Sequence, residues 1–568
     1  MEKLLKIFNK ESVNINQAAL LLGFFTMLSQ VLALFRDRAI AHFVGPSSSL
    51  DAYYAAFRVP DLIFISIASL ASFTVIIPFI VARMQGGIVT DRARKFLNDV
   101  FTVFLMVMVL VSVVAFFLMP YLAEVIAPGF TPLLQAKVVM LSRIMLLSPI
   151  LLGLSNLFGA VTQIFQKFFI YALSPIFYNF GIIIGVIFIY PVFGIYGLAV
   201  GVALGAFMHF VIQVISARSC GFTPKFSLRL FRLFGLFDIN FADIKSAVLT
   251  SLPRTFGLAF NNIALISIIA LASYLTSGSI SLFNLAFSLQ SVPLNIIGIS
   301  YAVAAFPTLA KSFSLGRMDE FKNHLKSAAR AVVFWSLPVI FLFIVVRAQI
   351  VRVILGSGSF SWDNTRLVAA CLAVFSVSIL AQGMITLLSR AYYAKGDTKR
   401  PLIVNFACAI LIIILSFFFT HLFQNMPMFR FFIESLLKVG NIPGTEVLML
   451  PLAYSVGTII NAVLQWFFVR RDFMQGESFI TKTFFQSLGA SFFLGLTAYI
   501  GLNILSPIFG TTTFWGVFLQ GFISGILGII AAILVLHLLK NEELSDLTRT
   551  LKTKFWRAKI IAPSQEGL

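Results

Sequence analysis

Apolar runs long enough to cross a bilayer recur along the whole chain, and they constrain its fold more than any other feature. A membrane-spanning helix needs about 20 consecutive, mostly apolar residues. A transmembrane β-barrel would instead show short segments of alternating polarity. The runs here are long and continuously apolar, so each is predicted to be an α-helix, which satisfies its own backbone hydrogen bonds in lipid. We number fourteen segments in chain order: 15–43, 51–82, 97–127, 138–165, 168–190, 194–217, 246–273, 279–309, 327–355, 366–394, 401–423, 447–469, 482–506 and 513–539.

The distribution of basic residues predicts how these segments are oriented. The chain carries a net charge of +20, although only 11% of its residues are charged. Lys and Arg concentrate in every second loop and at both ends of the chain. This asymmetry is typical of loops that stay in the cytoplasm, so both termini are predicted to be cytoplasmic. A basic excess can also indicate nucleic-acid binding, but its placement in alternate loops argues against that class of function.

Residue patterns typical of enzymes do not occur in the sequence. None of the five histidines has metal-ligand spacing, and no glycine-rich phosphate loop precedes a Lys-Ser/Thr pair. The three cysteines are widely separated in apolar surroundings and are predicted to be packing residues. We therefore expect no catalytic residue, no metal and no cofactor, while a coupling ion such as sodium stays open.

Segments 2 and 8 share a pattern of prolines that indicates an internal repeat. Each has Val-Pro near its outer part, at Pro60 and Pro293, and a second proline near its inner end, at Pro78 and Pro307. Proline kinks a helix, and kinks at matching positions suit a transporter with repeated halves; the alternative is that membrane helices simply tolerate proline. The repeat predicts this organisation: an N-terminal six-helix lobe at 1–220, a C-terminal six-helix lobe at 221–475 with an amphipathic cytoplasmic linker at 221–245, a helix pair at 476–540, and a basic cytoplasmic tail at 541–568.

Two loops are interpreted as surface connectors. Residues 222–244 alternate aromatic and basic side chains, as expected of an amphipathic segment lying on the inner membrane surface. Residues 425–447 are predicted to form a polar outer loop of mixed charge.

Charged side chains inside the apolar segments are the main candidates for a functional site. A charge at mid-bilayer costs about 2.5–3.5 kcal/mol on insertion scales, so such residues need a reason to be there. Arg36 and Asp37 are adjacent in segment 1 and point about 100° apart around a helix. Arg58 and Asp61 are three residues apart in segment 2 and can meet on one face. Each pair is either part of a binding site or an ion pair that fixes helix packing.

Segment 7 adds a third arginine without an acidic neighbour in sequence. Arg254 follows Pro253, and Asn261 and Asn262 lie one to two turns further on. A cavity between the halves would collect Arg36, Arg58 and Arg254. Because a guanidinium binds phosphate oxygens bidentately and stays charged, such a cavity predicts an anion site, with phosphate a good candidate. The residues predicted to orient the arginines or to act in gating are Asp37, Asp51, Asp61, Asn261, Asn262 and Gln290.

Six motifs, in order along the chain, resemble one family of membrane transporters. They are FRDRAIAHFVGPSSSLDAYYAAFRVPDL at 35–62, APGF at 127–130, SLPRTFGLAFNNIALI at 251–266, FPTLAKSFSLGRMDEF at 306–321, LGSGSF at 355–360 and SRAYYAKGDTKRPLIV at 389–404. Together they resemble the MurJ/MviN family of lipid II flippases, within the multidrug/oligosaccharidyl-lipid/polysaccharide exporter superfamily. The resemblance implies a V-shaped, two-lobe fold whose last two helices border a groove for the lipid tail.

The resemblance also implies an activity and partners. Lipid II, an undecaprenyl-pyrophosphate-linked glycopeptide, would be moved from the inner to the outer leaflet of the bacterial cytoplasmic membrane by alternating access. The protein would be a monomer in contact with membrane lipids and with the cell-wall synthesis machinery. By motif, Arg36 and Asp37 correspond to the Arg-Asp of the family's first helix, Asp51 to the acid that opens the second, and Arg254 to an arginine after proline in the seventh.

The chain departs from the family pattern by having fewer basic residues. Gln30, Phe64, Ile65 and Ser288 stand at or near positions where many or some members have basic residues. A less basic cavity keeps a related lipid-linked sugar open as the substrate. Two further alternatives are a polysaccharide-lipid or multidrug exporter of the same superfamily, and a non-transporting membrane scaffold for cell-wall enzymes.

Overall fold

The computed structural model describes residues 15–68, 84–85, 88–165, 167–219, 260, 262–476, 480–510 and 513–555. Several predicted features lie outside these ranges. They are Pro78, Arg254, Asn261, the linker at 221–245 and the end of the predicted tail, 556–568.

The described chain is almost entirely helical. Two short strands, β1 (Met84–Gln85) and β2 (Ile88–Val89), form an antiparallel pair. Turns of π-helix, Phe64–Ala68, Gly185–Ile189 and Asn295–Ile299, continue α3, α7 and α11. The helices are α1 Ile15–Phe43, α2 Ser48–Ala56, α3 Arg58–Ile63, α4 Asp91–Ile126, α5 Pro132–Met145, α6 Leu147–Ile164, α7 Phe168–Ile184, α8 Tyr190–Phe193, α9 Ile195–Ser219, α10 Asn262–Ala272, α11 Ser279–Leu294, α12 Ser300–Ser314, α13 Met318–Val345, α14 Arg347–Ile354, α15 Trp362–Ser376, α16 Ile379–Lys395, α17 Lys399–Asn425, α18 Pro427–Leu437, α19 Met449–Phe473, α20 Thr481–Phe509, α21 Phe514–Leu538 and α22 Glu542–Phe555.

The predicted integral-membrane helical fold is confirmed. Within the described ranges, ten helices are long and apolar enough to cross a membrane, and the count is eleven if α15 and α16, bent by 41°, are taken as one broken span. These spans coincide with predicted segments 3–6 and 8–14. Segment 1 corresponds to α1, while segments 2 and 7 lie partly outside the described residues, so the count of fourteen is approximate.

The chain divides by its contacts into two compact units. The first contains Met1–Val292, Ile354–Phe375 and Asp397–Asn461. In this unit α7 and α9 approach each other closely along a line of glycines. A Cβ atom on Gly181 would lie 2.3 Å from the Cα of Gly205. Small residues allow this approach, which supplies van der Waals packing where lipid gives no hydrophobic drive for helix association.

The second unit contains Pro293–Val353, Ser376–Gly396 and Ala462–Leu568. Its core contains the buried rings of Phe321, Tyr392 and Phe473. The Tyr392 hydroxyl donates a hydrogen bond to Asp472 Oδ2 (2.8 Å), so its polar end is satisfied within the same unit. The lobe boundaries expected from the proline repeat stay a prediction.

Ion pairs connect the C-terminal helix α22 to α20 and α13 within the second unit. Lys482 Nζ donates to Glu542 Oε1 (2.7 Å), and Arg330 Nη1 donates to Glu542 Oε2 (3.3 Å). The hydrogen bond from Lys482, followed by the charges of Lys482 and Arg330, lowers the pKa of Glu542. The carboxylate therefore stays charged at neutral pH.

Two kink prolines each lie close before a π-helical turn. Pro60 is in α3, which continues into Phe64–Ala68, and Pro293 is in α11, which continues into Asn295–Ile299. Proline removes a backbone hydrogen bond, and a π-turn is a common way for a helix to absorb the resulting mismatch. The shared irregularity is consistent with the proposed repeat of segments 2 and 8.

The connector at 425–447 differs from its prediction as a polar loop. It contains α18, an eleven-residue helix with exposed aromatic side chains, and a short 3₁₀ turn at Thr445–Leu448. Its apolar residues recur at helical spacing, a pattern that the mixed charges of the same stretch concealed.

The contact between α7 and α9 predicts that Gly181→Ala lowers the melting temperature of the purified protein. The added methyl group has no room, and overpacking costs about 1–3 kcal/mol. Gly489→Ala in α20 is the matched control, because its Cβ would meet nothing within 4 Å and alanine favours a helix by about 0.8–1 kcal/mol over glycine. Thermal unfolding in detergent measures both variants, and an unchanged melting temperature for Gly181→Ala would contradict the close contact.

Candidate functional site

Arg36 and Asp37 form an ion pair within α1. Arg36 Nε and Nη2 both donate to Asp37 Oδ1, at 3.0 and 2.8 Å. The Asp37 side chain is 4% exposed, whereas that of Arg36 is 24% exposed. Although the two Cβ atoms point in different directions around the helix, the long arginine side chain folds back to reach its neighbour. The buried carboxylate is thereby neutralised, while the arginine side chain as a whole remains partly exposed.

Two further partners hold this ion pair in place. Arg36 Nη1 donates to Asn179 Oδ1 (3.0 Å) on α7, and the Asn179 amide donates in turn to the Pro175 carbonyl (3.1 Å). The second carboxylate oxygen of Asp37 accepts a hydrogen bond from the Ser288 hydroxyl on α11. A buried ion pair is stable only when additional hydrogen bonds satisfy its remaining polar atoms. In this set of four residues, called here the Arg36 cluster, α7 and α11 supply those hydrogen bonds to the ion pair on α1.

Asp51, in α2, caps the start of α11. Its carboxylate accepts hydrogen bonds from the backbone N–H of Gly278 (2.6 Å) and from the N–H and hydroxyl of Ser281 (2.7 and 2.6 Å). The first N–H groups of a helix have no partner within the helix, and its N-terminus favours negative charge. The described contacts of Asp51 are therefore those of a helix cap, rather than the arginine contacts that the sequence suggested.

Arg58 also reaches α11. Its Nη2 donates to Asn284 Oδ1, and the Asn284 amide donates to the Ile280 carbonyl (2.8 Å). Within the described part of the chain, Arg58 Nε is buried without a hydrogen-bond partner, and Arg58 and Asp61 form no ion pair of 4.0 Å or less, although both are described. The expected pairing of these two residues is thus replaced by an arginine–asparagine contact.

These contacts converge on one face of α11. Ser281, Asn284 and Ser288 are three and four residues apart, so they lie on the same side of the helix. The Ser281 hydroxyl donates to Asp51, and the Ser288 hydroxyl donates to Asp37. Asn284 Oδ1 accepts from Arg58. We call this set the α11 polar stripe. The stripe was not among the predicted site residues, yet polar residues at helical spacing in an apolar segment are a readable signal.

The other predicted site residues lie in several environments. Gln290, on α11, is fully buried, and Asn262, at the start of α10, is half-buried. Pro60 is buried within α3 and Pro293 lies inside α11. Asn179 was missed because a single asparagine in an apolar helix carries no pattern.

Comparison with known proteins identifies relatives along most of the chain. The family model described as "Lipid II flippase MurJ" matches residues 40–520. The lipid II flippase MurJ of Burkholderia cenocepacia is 25% identical over 497 residues, which cover 86% of this chain and 91% of that protein. A probable lipid II flippase MurJ of Rhizobium tropici is 27% identical, covering 66% of this chain and 70% of that protein.

Solved structures match the fold. A lipid II flippase MurJ in an inward closed conformation matches with a TM-score of 0.71 at 21% identity, covering 93% of this chain and all of that one. An inward-facing multidrug resistance MATE family transporter of the MOP superfamily matches with a TM-score of 0.62 at 15% identity, covering 80% of this chain and 98% of that one. At these identities the likeness concerns the fold alone.

The Arg36 cluster predicts strong coupling between Arg36 and Asp37 in stability. Removing one partner of a buried ion pair lowers the free energy of unfolding by about 3–5 kcal/mol, because it leaves a charge uncompensated. Since Arg36 is partly exposed, we expect a loss of about 3 kcal/mol or less here. Asp37→Asn should therefore lower the melting temperature, and the double variant Arg36→Gln/Asp37→Asn should recover part of the loss, with a coupling energy of about 1–3 kcal/mol. Thermal unfolding of the four proteins of the cycle measures this, and strictly additive losses would contradict the pairing.

Proposed function

Because the chain belongs to the lipid II flippase MurJ family, whose model matches residues 40–520, we propose that it moves undecaprenyl-pyrophosphate-linked peptidoglycan precursor across the bacterial cytoplasmic membrane. The precursor passes from the inner to the outer leaflet by alternating access, for cell-wall synthesis. Both termini lie in the cytoplasm, and the transport step involves no covalent chemistry.

The observation that carries the proposal is that the side chain of Arg36 is partly exposed and has hydrogen-bond donors left over from its described contacts. A guanidinium has five N–H donors, and the described hydrogen bonds of Arg36 use three of them, two to Asp37 and one to Asn179. The remaining two N–H groups are free to donate to a phosphate oxygen. Because Asp37 and Asn179 fix the plane of the guanidinium, little side-chain entropy is lost when an anion binds.

Arg58 supplies a second cationic group with unused hydrogen-bonding capacity. Asn284 accepts from Nη2, whereas the buried Nε has no described partner. A buried N–H without a partner is costly, and an anionic ligand would remove that cost. Arg254 is proposed as the third arginine on the basis of its motif. Together the three cations would offset the loss of hydration that the pyrophosphate suffers while the lipid tail stays in the bilayer.

The acidic residues are proposed to control these arginines. Asp37 binds Arg36 on one side and Ser288 on the other, so an anion bound to Arg36 is linked through Asp37 to α11. Asp51 holds the start of the same helix. Substrate binding is thereby connected to α11, which also carries the kink at Pro293. Asp61, Asn262 and Gln290 are proposed to orient polar groups during the cycle.

A reconstituted flipping assay tests the role of Arg36. We expect Arg36→Ala to slow the outward exposure of labelled lipid II in proteoliposomes about tenfold or more, because a hydrogen bond to a charged group contributes about 1.5–3 kcal/mol. Arg36→Lys should recover only part of the activity, since an ammonium lacks the bidentate fork. Arg143→Ala is the control: Arg143 is bound to the Phe116 carbonyl and ring, away from the Arg36 cluster. Undiminished flipping by both Arg36 variants, with the protein folded, would refute the phosphate contact.

The energy source gives a second prediction for the same assay. The sequence has no nucleotide-binding motif, and moving one charge across the membrane is worth about 2.3 kcal/mol per 100 mV. A pyrophosphate carries roughly two negative charges, so outward passage from a negative interior gains about 4.6 kcal/mol per 100 mV. Collapsing the potential with valinomycin and potassium should stop net flipping, whereas ATP depletion at a clamped potential should not. Full net flipping at zero potential would exclude electrical driving and point to a coupled ion or to the lipid gradient.

A further inference from the structure

The helix α18 starts immediately after the membrane span α17. Only Met426 separates Asn425, the last residue of α17, from Pro427, the first of α18. Met426 has an extended backbone, and Pro427 at the first helical position donates no backbone hydrogen bond, so α17 ends there and α18 begins as a separate helix. A helix joined to a span by one residue must begin at the depth where that span ends.

The length of α17 places this junction at the outer edge of the bilayer. The helix has 27 residues, which gives about 40 Å at 1.5 Å per residue, against a hydrocarbon core of about 30 Å. It begins at Lys399 and Arg400, in a basic loop that the charge asymmetry assigns to the cytoplasm. Its other end therefore emerges among the outer headgroups, and the eleven residues of α18, about 16 Å long, are too few to cross back.

One face of α18 is bound to the protein. Ile433 is buried, and Glu434 accepts hydrogen bonds from Arg430 Nε (2.9 Å) and from the Thr445 hydroxyl (2.6 Å). The Arg430 guanidinium lies over the ring of Phe423, at the end of α17. These contacts fix the orientation of the helix.

The opposite face is strongly apolar and exposed. Four large apolar side chains recur at helical spacing on this face, and their exposed fractions are high for residues of this type. They are Met428 83%, Phe431 72%, Phe432 59% and Leu436 61%.

We propose that α18 is an interfacial helix that inserts this face into the outer leaflet of the membrane. The occupant follows from continuity: α17, which immediately precedes it, exposes Ile410, Ile414, Phe417 and Phe418 along its length, as a lipid-facing span does. The lipid that covers α17 extends to its outer end, where α18 begins. Amphipathic helices at this depth bury their apolar face at the boundary of headgroups and acyl chains.

The charge of α18 specifies the kind of lipid contact. Its single arginine and single glutamate are paired with each other, so the helix presents no net charge to the headgroups. Binding through apolar burial alone requires no anionic lipid, in contrast to basic interfacial helices. The inference rests on the membrane fold and is independent of the proposed substrate.

Spin-label accessibility in the full-length protein tests this assignment. Phe431→Cys and Phe432→Cys would each carry a nitroxide in proteoliposomes, with Cys220 replaced by serine; Cys371 and Cys408 are buried and unreactive by position. Gly440→Cys is the control beyond the helix, because a side chain there meets open space. Thermal unfolding checks that each labelled protein is folded.

We expect oxygen to collide with the labels at 431 and 432 more often than the water-soluble nickel reagent does, and the reverse at 440. The ratio should be the same in neutral vesicles and in vesicles containing anionic lipid. Strong nickel collisions at 431 and 432 would place the face in water and overturn the proposal. Shielding from both reagents together with spin–spin broadening would show instead that a second copy of the chain covers it.

Discussion

The contact of three charged side chains with one face of α11 organises the first compact unit. Asp51 holds the first turn at Ser281, Arg58 reaches Asn284, and Asp37 accepts from Ser288. Each charge comes from the stretch between residues 36 and 58, where segment 1 ends and segment 2 begins. A charge that cannot be hydrated must be neutralised or hydrogen-bonded. The polar stripe on α11 meets this requirement for all three, and it thereby joins segments 1, 2 and 8.

The same contacts explain why charged groups are tolerated here at all. Asp37 is neutralised by Arg36, and Asp51 by the positive end of a helix. The arginines are satisfied less completely: Arg36 keeps two N–H groups without described partners, and Arg58 keeps a buried Nε. The carboxylates are thus committed to structure, whereas the cations retain capacity for an anion. Whether all of its hydrogen-bonding groups have partners thus separates a residue that holds the fold from one that is proposed to bind substrate.

The helical membrane architecture could be predicted from the sequence, because length and continuous apolarity determine it locally. The paired prolines at Pro60 and Pro293 also predicted irregular helices, and π-turns follow both. The partners of the charges could not be predicted. Asp51 lies 227 residues from Gly278, so which helix it caps depends on tertiary packing that periodicity does not encode. Residues 425–447 differ from the predicted polar loop for another reason: the charges of Arg430 and Glu434 suggested a polar surface, yet these two side chains pair with each other on one side of α18.

The three anchors on α11 have a mechanical consequence. They span two helical turns, from Ser281 to Ser288, and all lie within about 60° around the axis, since successive residues of a helix are 100° apart. A twist of α11 by a single residue would carry every anchor off its partner at once, so a screw motion of this stretch is resisted by three hydrogen-bonded contacts together. No such anchor is described beyond Pro293, where the backbone ladder is interrupted and Asn295–Ile299 forms a wider turn. The helix is therefore held against rotation about its axis along its first half, and its π-helical turn lies just beyond the last of these anchors.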